Sequence, residues 1–380
     1  MAAEIEQFQI HASDSDLDDL KRRLRATRWP EPETVSDWSQ GVPLAYLRQF
    51  CDYWLNKYDW RKREARLNAI PQYRTGIDGL GIHFLHVRSP HPAAMPLILT
   101  HGWPGSIVEF VKVIPLLTDP TAHGGQASDA FHVVCPSLPG FGFSDKPKER
   151  GWSVEKIARA WSDLMLRLGY TWYYAQGGDW GASVTTSIAL QDTQHCHGIH
   201  LNMPTVRPDP ETMSTLTDEE KDGLAARQYY QDWDSGYSKQ QSTRPQTVGY
   251  GLVDSPVGQA AWILEKFWSW TDSNGNPENV LTRDEMLDDI MLYWLPRTAA
   301  SSARLYWESF GKGSLEPVRI PVGVSAFPKE ITRVSRRWAE KRYKDLVYWN
   351  RLDRGGHFAA FEQPELFTQE LRACFRKMRG

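Results

Sequence analysis

The sequence predicts an α/β protein, a mostly parallel sheet flanked by helices, with a helical segment before it and a helical insert within it. Three observations carry this reading. Short apolar runs alternate with helical patterns from residue 71 to about 203, several of those runs end in glycine-marked turns, and strand-like runs return at 320–327 and 346–358 after a polar, helix-rich stretch.

Taken in order, residues 1 to about 70 are expected to be largely helical. Ser13 and Asp16 stand three apart just before Leu17, Leu20 and Leu24, which is a capping-box-like start followed by helical spacing. "RWPEP" ends that helix, since Pro30 and Pro32 cannot continue it. The stretch 43–70 reads as one or two further helices. "QYRTGIDGLGIHFLHVRS" then gives two extended runs around Asp78-Gly79, a hairpin signal. "PLILTHGWPGS", "FHVVCPSLPGFGFS", "TWYYAQGGDWGAS" and "GIHLNMP" each contain a buried-type strand. These assignments divide the chain into an N-terminal wrap (1–75), a first core part (76–203), a helical lid (204–300) and a second core part (301–380).

Composition removes several function classes. The 380 residues carry 44 Lys and Arg against 47 Asp and Glu, a net charge of −3 with no long basic run, so nothing points to nucleic acid or an anionic membrane. No apolar stretch approaches the ~20 residues of a membrane span. The acidic opening lacks the pattern of a secretion signal. Four dispersed cysteines match no disulfide or zinc spacing, and a cytoplasmic location is expected. "HCHGIH" (195–200) clusters His195, Cys196, His197 and His200 without the paired spacing of a closed zinc site. No metal or cofactor is expected. Seventeen Trp among the aromatic residues suit a deep apolar cavity for a small molecule.

The chemistry starts at "QGGDWGAS". Ligands bind beyond the carboxyl ends of parallel strands, and this turn has the glycine-x-nucleophile-x-glycine form of a nucleophile elbow, with Gly177 and Gly181 flanking Asp179 where a serine would be usual. A carboxylate at a helix start is favoured anyway, so the turn alone leaves a structural Asp open. On this fold a triad runs nucleophile, acid, base along the chain. Glu330 in "VSAFPKEI" and His357 in "RGGHF" fall downstream in that order. The turn His101 to Gly105 can aim the Trp103 N–H at the site, where that of Trp180 can meet it as an oxyanion hole.

HGWPGS, GGDWGAS, "TRPQTVGYGLVDSPVGQAAWILEKF" and "RGGHFAAFEQPELF" resemble the α/β-hydrolase-fold epoxide hydrolases of the microsomal and juvenile-hormone type. The likeness covers nearly the whole chain, including the "RWPEP" region. It implies Asp179 as nucleophile, His357 as base, Glu330 as the acid that orients it, Trp103 and Trp180 as oxyanion donors, and Tyr237 and Tyr306 as lid-side proton donors. It also implies a small apolar or aryl epoxide as substrate and a vicinal diol as product. The membrane anchor of microsomal members is absent, which implies a soluble protein, and a homodimer is compatible with the sequence. The rival readings are a haloalkane dehalogenase using the same Asp, and a binding protein built on the hydrolase scaffold.

Overall fold

The computed structural model describes residues 4–379; residues 1–3 and 380, at the outer ends of the expected first and last parts, lie outside the described residues. Among the described residues nine strands form one sheet: β1 (Glu6–Gln7), β2 (Gln72–Ile77), β3 (Leu80–Val87), β4 (Met95–Thr100), β5 (Phe131–Pro136), β6 (Tyr173–Gly177), β7 (Cys196–Leu201), β8 (Val318–Ala326) and β9 (Tyr343–Arg351). Their order is β1-β2-β3-β5-β4-β6-β7-β8-β9. The pairs up to β3–β5 are antiparallel and the rest parallel. Asp78 and Gly79 turn the β2–β3 hairpin with φ of 49° and 76°, the left-handed pair that a two-residue hairpin turn requires.

Every residue of β4 and β6 is buried, as expected of strands covered on both faces. The helix Asp179–Gln191 packs on β4, β6, β7 and β8, and the helix Pro364–Met378 on β7, β8 and β9. The two-residue β1 was not expected. Both its residues are exposed, so it leaves no apolar alternation to read.

The N-terminal helices follow from their caps. Ser13 accepts the Asp16 N–H at 3.1 Å and starts Asp14–Arg25. The stretch 43–70 resolves into two helices, Leu44–Asn56 and Trp60–Asn68, with Asp59 capping the second through the Lys62 N–H. These helices grip the insert between β7 and β8. Tyr53 donates to Asp284 at 2.8 Å, Tyr58 to Asp288 at 2.9 Å, and Arg63 Nε to both Asp288 oxygens at 2.8 and 2.9 Å. Burial, only partly offset by Arg63, holds the Asp288 carboxyl above its usual range.

No helix among the described residues is long and apolar enough to cross a membrane. In the HCHGIH cluster, His200 bonds Ser325 at 2.9 Å, His195 bonds Asp192 at 2.6 Å, and His197 stacks on Trp172.

Removing the Arg63 side chain should strand a buried carboxylate. Arg63→Ala is expected to cost about 3–5 kcal/mol at neutral pH in chemical denaturation. The loss should shrink toward pH 5, because an unpaired Asp288, with its folded pKa raised further, protonates on acidification and sheds its buried charge.

Candidate active site

Asp179 lies between the end of β6 and the first turn of the helix it begins, with φ of +50°. That region is costly for a side-chain residue and cheapest for Asp or Asn among them. Space dictates the glycines. A Cβ on Gly177 would sit 2.0 Å from the Gly181 oxygen, and one on Gly181 would sit 1.8 Å from the Thr100 oxygen. A Cβ on Gly178 would press the Asn202 amide at 2.7 Å, so close packing excludes a side chain there as well. The carboxylate also gains from the helix N-terminus.

The turn after β4 closes over Asp179. A Cβ on Gly102 would meet Asp179 Oδ1 at 2.2 Å, and the Trp103 N–H donates to that oxygen at 2.8 Å. His101 braces the turn. Burial pulls its pKa down to about 4, so the ring is neutral; Nε2 accepts the Leu138 N–H at 3.2 Å while Nδ1 bonds the Gly102 oxygen at 2.9 Å. Trp180 stands beside Asp179 in the first helical turn, among the amides a helix leaves without internal partners.

The structure brings Glu330 and His357 to the same place. His357 Nδ1 and Glu330 Oε1 are 2.6 Å apart, and His357 Nε2 lies 3.4 Å from Asp179 Oδ2. The His357 N–H is tied to the Trp270 oxygen at 2.8 Å, and the Trp270 ring packs against the imidazole at 5.0 Å. Burial alone would depress the His357 pKa. The Glu330 charge, then Asp179, outweigh it and hold the proton on His357 well above the usual histidine range.

On the other side of Asp179 a largely apolar cavity of about 560 Å³ opens under the helices between β7 and β8. Tyr237 and Tyr306 both line it, their rings 5.7 Å apart and 82° to one another. Tyr237 stacks on Trp103 at 4.7 Å, and Tyr306 meets the Trp180 ring edge-on at 4.8 Å. The Tyr306 hydroxyl is buried and has no hydrogen-bond partner among the described residues. Burial holds both phenols well above their usual pKa; the neighbouring phenol adds to this for Tyr237, and the Asp179 charge does so for Tyr306.

Several residues of the site escaped the sequence reading. Tyr230 bonds the Tyr237 hydroxyl at 3.0 Å; its place two helical turns before Tyr237 was the available signal, hidden among many tyrosines. The buried Lys266 pairs with Asp234 at 2.7 Å and lies 4.8 Å over the Tyr237 ring, while Trp270 Nε1 donates to the same Asp234 at 2.5 Å. No local pattern marks a lysine turned inward on an apolar helix. Glu109, a single carboxyl within the apolar run "IVEFVKV", left no signal either.

Known proteins match the chain over nearly its whole length. The model "Epoxide hydrolase N terminus" matches residues 5–110, and the model "alpha/beta hydrolase fold" matches residues 95–248. A Stigmatella aurantiaca protein named "Putative epoxide hydrolase" is 61% identical, over 99% of this chain and 86% of its own length. "Epoxide hydrolase 1" of Sus scrofa is 40% identical over 97% of this chain and 88% of its own. The chain belongs to the epoxide hydrolase family. The Aspergillus niger epoxide hydrolase structure superposes on it with a TM-score of 0.90 at 33% identity, covering 99% of this chain and 97% of that one. The α/β-hydrolase fold read from the sequence is therefore the fold of an epoxide hydrolase.

In this epoxide hydrolase Glu330 is the strongest of the groups that hold a proton on His357. Glu330→Gln removes its charge while keeping its shape. The imidazole titration of His357, followed by NMR, should move to lower pH. An unmoved midpoint would show that the Glu330 charge does not hold the proton.

Proposed function

We propose that Asp179 opens an epoxide by backside attack and that His357 then drives hydrolysis of the resulting ester. The observation that carries this is the facing of one carboxylate and two phenols, Tyr237 and Tyr306, across a single apolar cavity. Saturated carbon is displaced rather than added to, so the nucleophile needs to be anionic at neutral pH, which a carboxylate is. With Oδ1 held by the Trp103 N–H, Oδ2 attacks. The epoxide C–O bond breaks, and the departing alkoxide takes a proton from a phenol. The unpartnered Tyr306 hydroxyl supports that role, as does the burial that keeps both phenols protonated.

Ester formation also arms the base. It removes the Asp179 charge that helps hold the proton on His357, so the imidazole becomes easier to deprotonate just as a base is needed. His357 takes a proton from water, the water oxygen bonds to Cγ of Asp179, and the oxyanion forms on Oδ1 under the Trp103 and Trp180 amides, each such donor contributing about 2.7–4 kcal/mol. Collapse breaks the Cγ–Oδ2 bond, and the His357 imidazolium protonates the leaving oxygen to give the diol. The second water proton, on the regenerated carboxyl, returns through solvent to the phenolate.

Within this reading the helices between β7 and β8 act as a lid, the N-terminal helices as its anchor, and the substrate is an apolar or aryl epoxide that the cavity's aromatic walls can bury. A halide leaving group would need no proton, so the two phenols favour the epoxide over a haloalkane. The four cysteines are free, buried thiols, which suits a reducing cytoplasm.

A single turnover in ¹⁸O-water with enzyme in excess should give a first diol free of label, with label entering Asp179; label in that diol sinks the ester mechanism. His357→Gln should trap the enzyme with one substrate added in mass, and haloalkanes should release no halide. Tyr306→Phe should slow ester formation by roughly 10²-fold or more, read by rapid quench. In the wild-type enzyme, hydrolysis of the ester should accelerate with pH through a midpoint below that of His357 in the resting enzyme.

A further inference from the structure

Asp179 lines two cavities. The large one beneath the lid helices does not include His357 among its walls, whereas a second, of about 20 Å³, is walled by Asp179 together with His357, Glu109, Gln176 and Asn202. That volume suits one water molecule, which needs about 10–15 Å³, and nothing of substrate size. We propose that this chamber seats the hydrolytic water, and that Glu109 and Gln176 position it for His357. The proposal rests on the ester mechanism above.

Two features mark the chamber as built for a water. Gln176 Oε1 is buried without a hydrogen-bond partner among the described residues, while its Nε2 is committed to Asn202 Oδ1 at 3.0 Å. An orphaned buried acceptor costs about 1–3 kcal/mol, which a water here would relieve. Glu109 is admitted by Gly105: a Cβ there would stand 1.5 Å from Glu109 Oε1. Gly105 lacks the positive φ of other glycines in the chain, so its bareness is a matter of space alone. The two glycines of HGWPGS thus each make way for a carboxyl group, Gly102 for Asp179 and Gly105 for Glu109.

The hydrogen-bond valence closes. Burial, then the Asp289 carboxyl, hold Glu109 in its acid form, so it donates to the water oxygen. Gln176 Oε1 and His357 Nε2 accept the two water protons. One lone pair is left free, for Cγ of Asp179. Substrate and water then reach Asp179 from different cavities, so a bound ester does not displace the water that cleaves it.

The test is transient kinetics of Glu109→Leu, Glu109→Gln and Gln176→Leu with an aryl epoxide. E109L should form the ester at the wild-type rate but hydrolyse it roughly 10- to 100-fold more slowly. Steady-state kcat and KM should fall together, leaving kcat/KM unchanged, and E109Q, which can still donate, should recover most of the rate. Q176L should show the same split and carries the test if E109L does not fold. Ester formation and hydrolysis slowed equally, or hydrolysis unchanged in folded E109L and Q176L, would overturn the assignment. Failure of the ester mechanism itself is separately visible, as the absence of any ester on wild type or H357Q.

Discussion

Two backbone turns pass so closely at this site that neither tolerates a side chain at the contact. The turn after β4 presents the Thr100 oxygen within 1.8 Å of where a Gly181 Cβ would stand, and its Gly102 lies against the Asp179 carboxylate. This approach fixes the Trp103 N–H on Oδ1 and holds Asp179 in a left-handed backbone that it would not adopt alone. The sheet order makes the approach possible, because β4 and β6 are neighbours and parallel. Their carboxyl ends therefore deliver both turns to the same edge.

Once the turns meet, electrostatics govern what else can be there. Burying carboxylates is costly unless donors or cations meet them. Asp179 has an amide, a helix N-terminus and His357; Glu330 has His357 and the Ile331 N–H at 2.7 Å. The charges of Glu330 and Asp179 keep the proton on His357 against burial, so any loss of negative charge at Asp179 favours a neutral imidazole.

The helices between β7 and β8 are held from below and behind. The Lys266–Asp234 pair sits beneath Tyr237, and the five-residue π-helical turn Tyr230–Asp234 supplies both Tyr230 and Asp234. Such turns often mark functional segments, because the extra residue re-aims side chains. From outside, Tyr53, Tyr58 and Arg63 hold the helix Arg283–Trp294, which carries Asp284, Asp288 and Asp289. The N-terminal helices, far from Asp179 in sequence, thereby hold a helix that braces the turn after β4, where Ser106 donates to Asp289 at 2.6 Å and Tyr293 donates to the Gly105 oxygen at 2.7 Å.

The local sequence was enough for what is set by local physics. Glycine spacing around Asp179, apolar runs of strand length, the Asp78-Gly79 turn and the Ser13 cap all act within a few residues, and each left its mark on composition or period. Family likeness extended this to Tyr237 and Tyr306, which no periodicity singles out. The tertiary structure alone decided which polar groups face inward. Glu109, Gln176 and Lys266 look like ordinary helix or strand residues, since their distant partners come from chain segments that meet only on folding: Asp289 at Glu109, Asn202 at Gln176, Asp234 and Tyr237 at Lys266. A buried polar group is defined by what surrounds it, and those surroundings exist only in three dimensions.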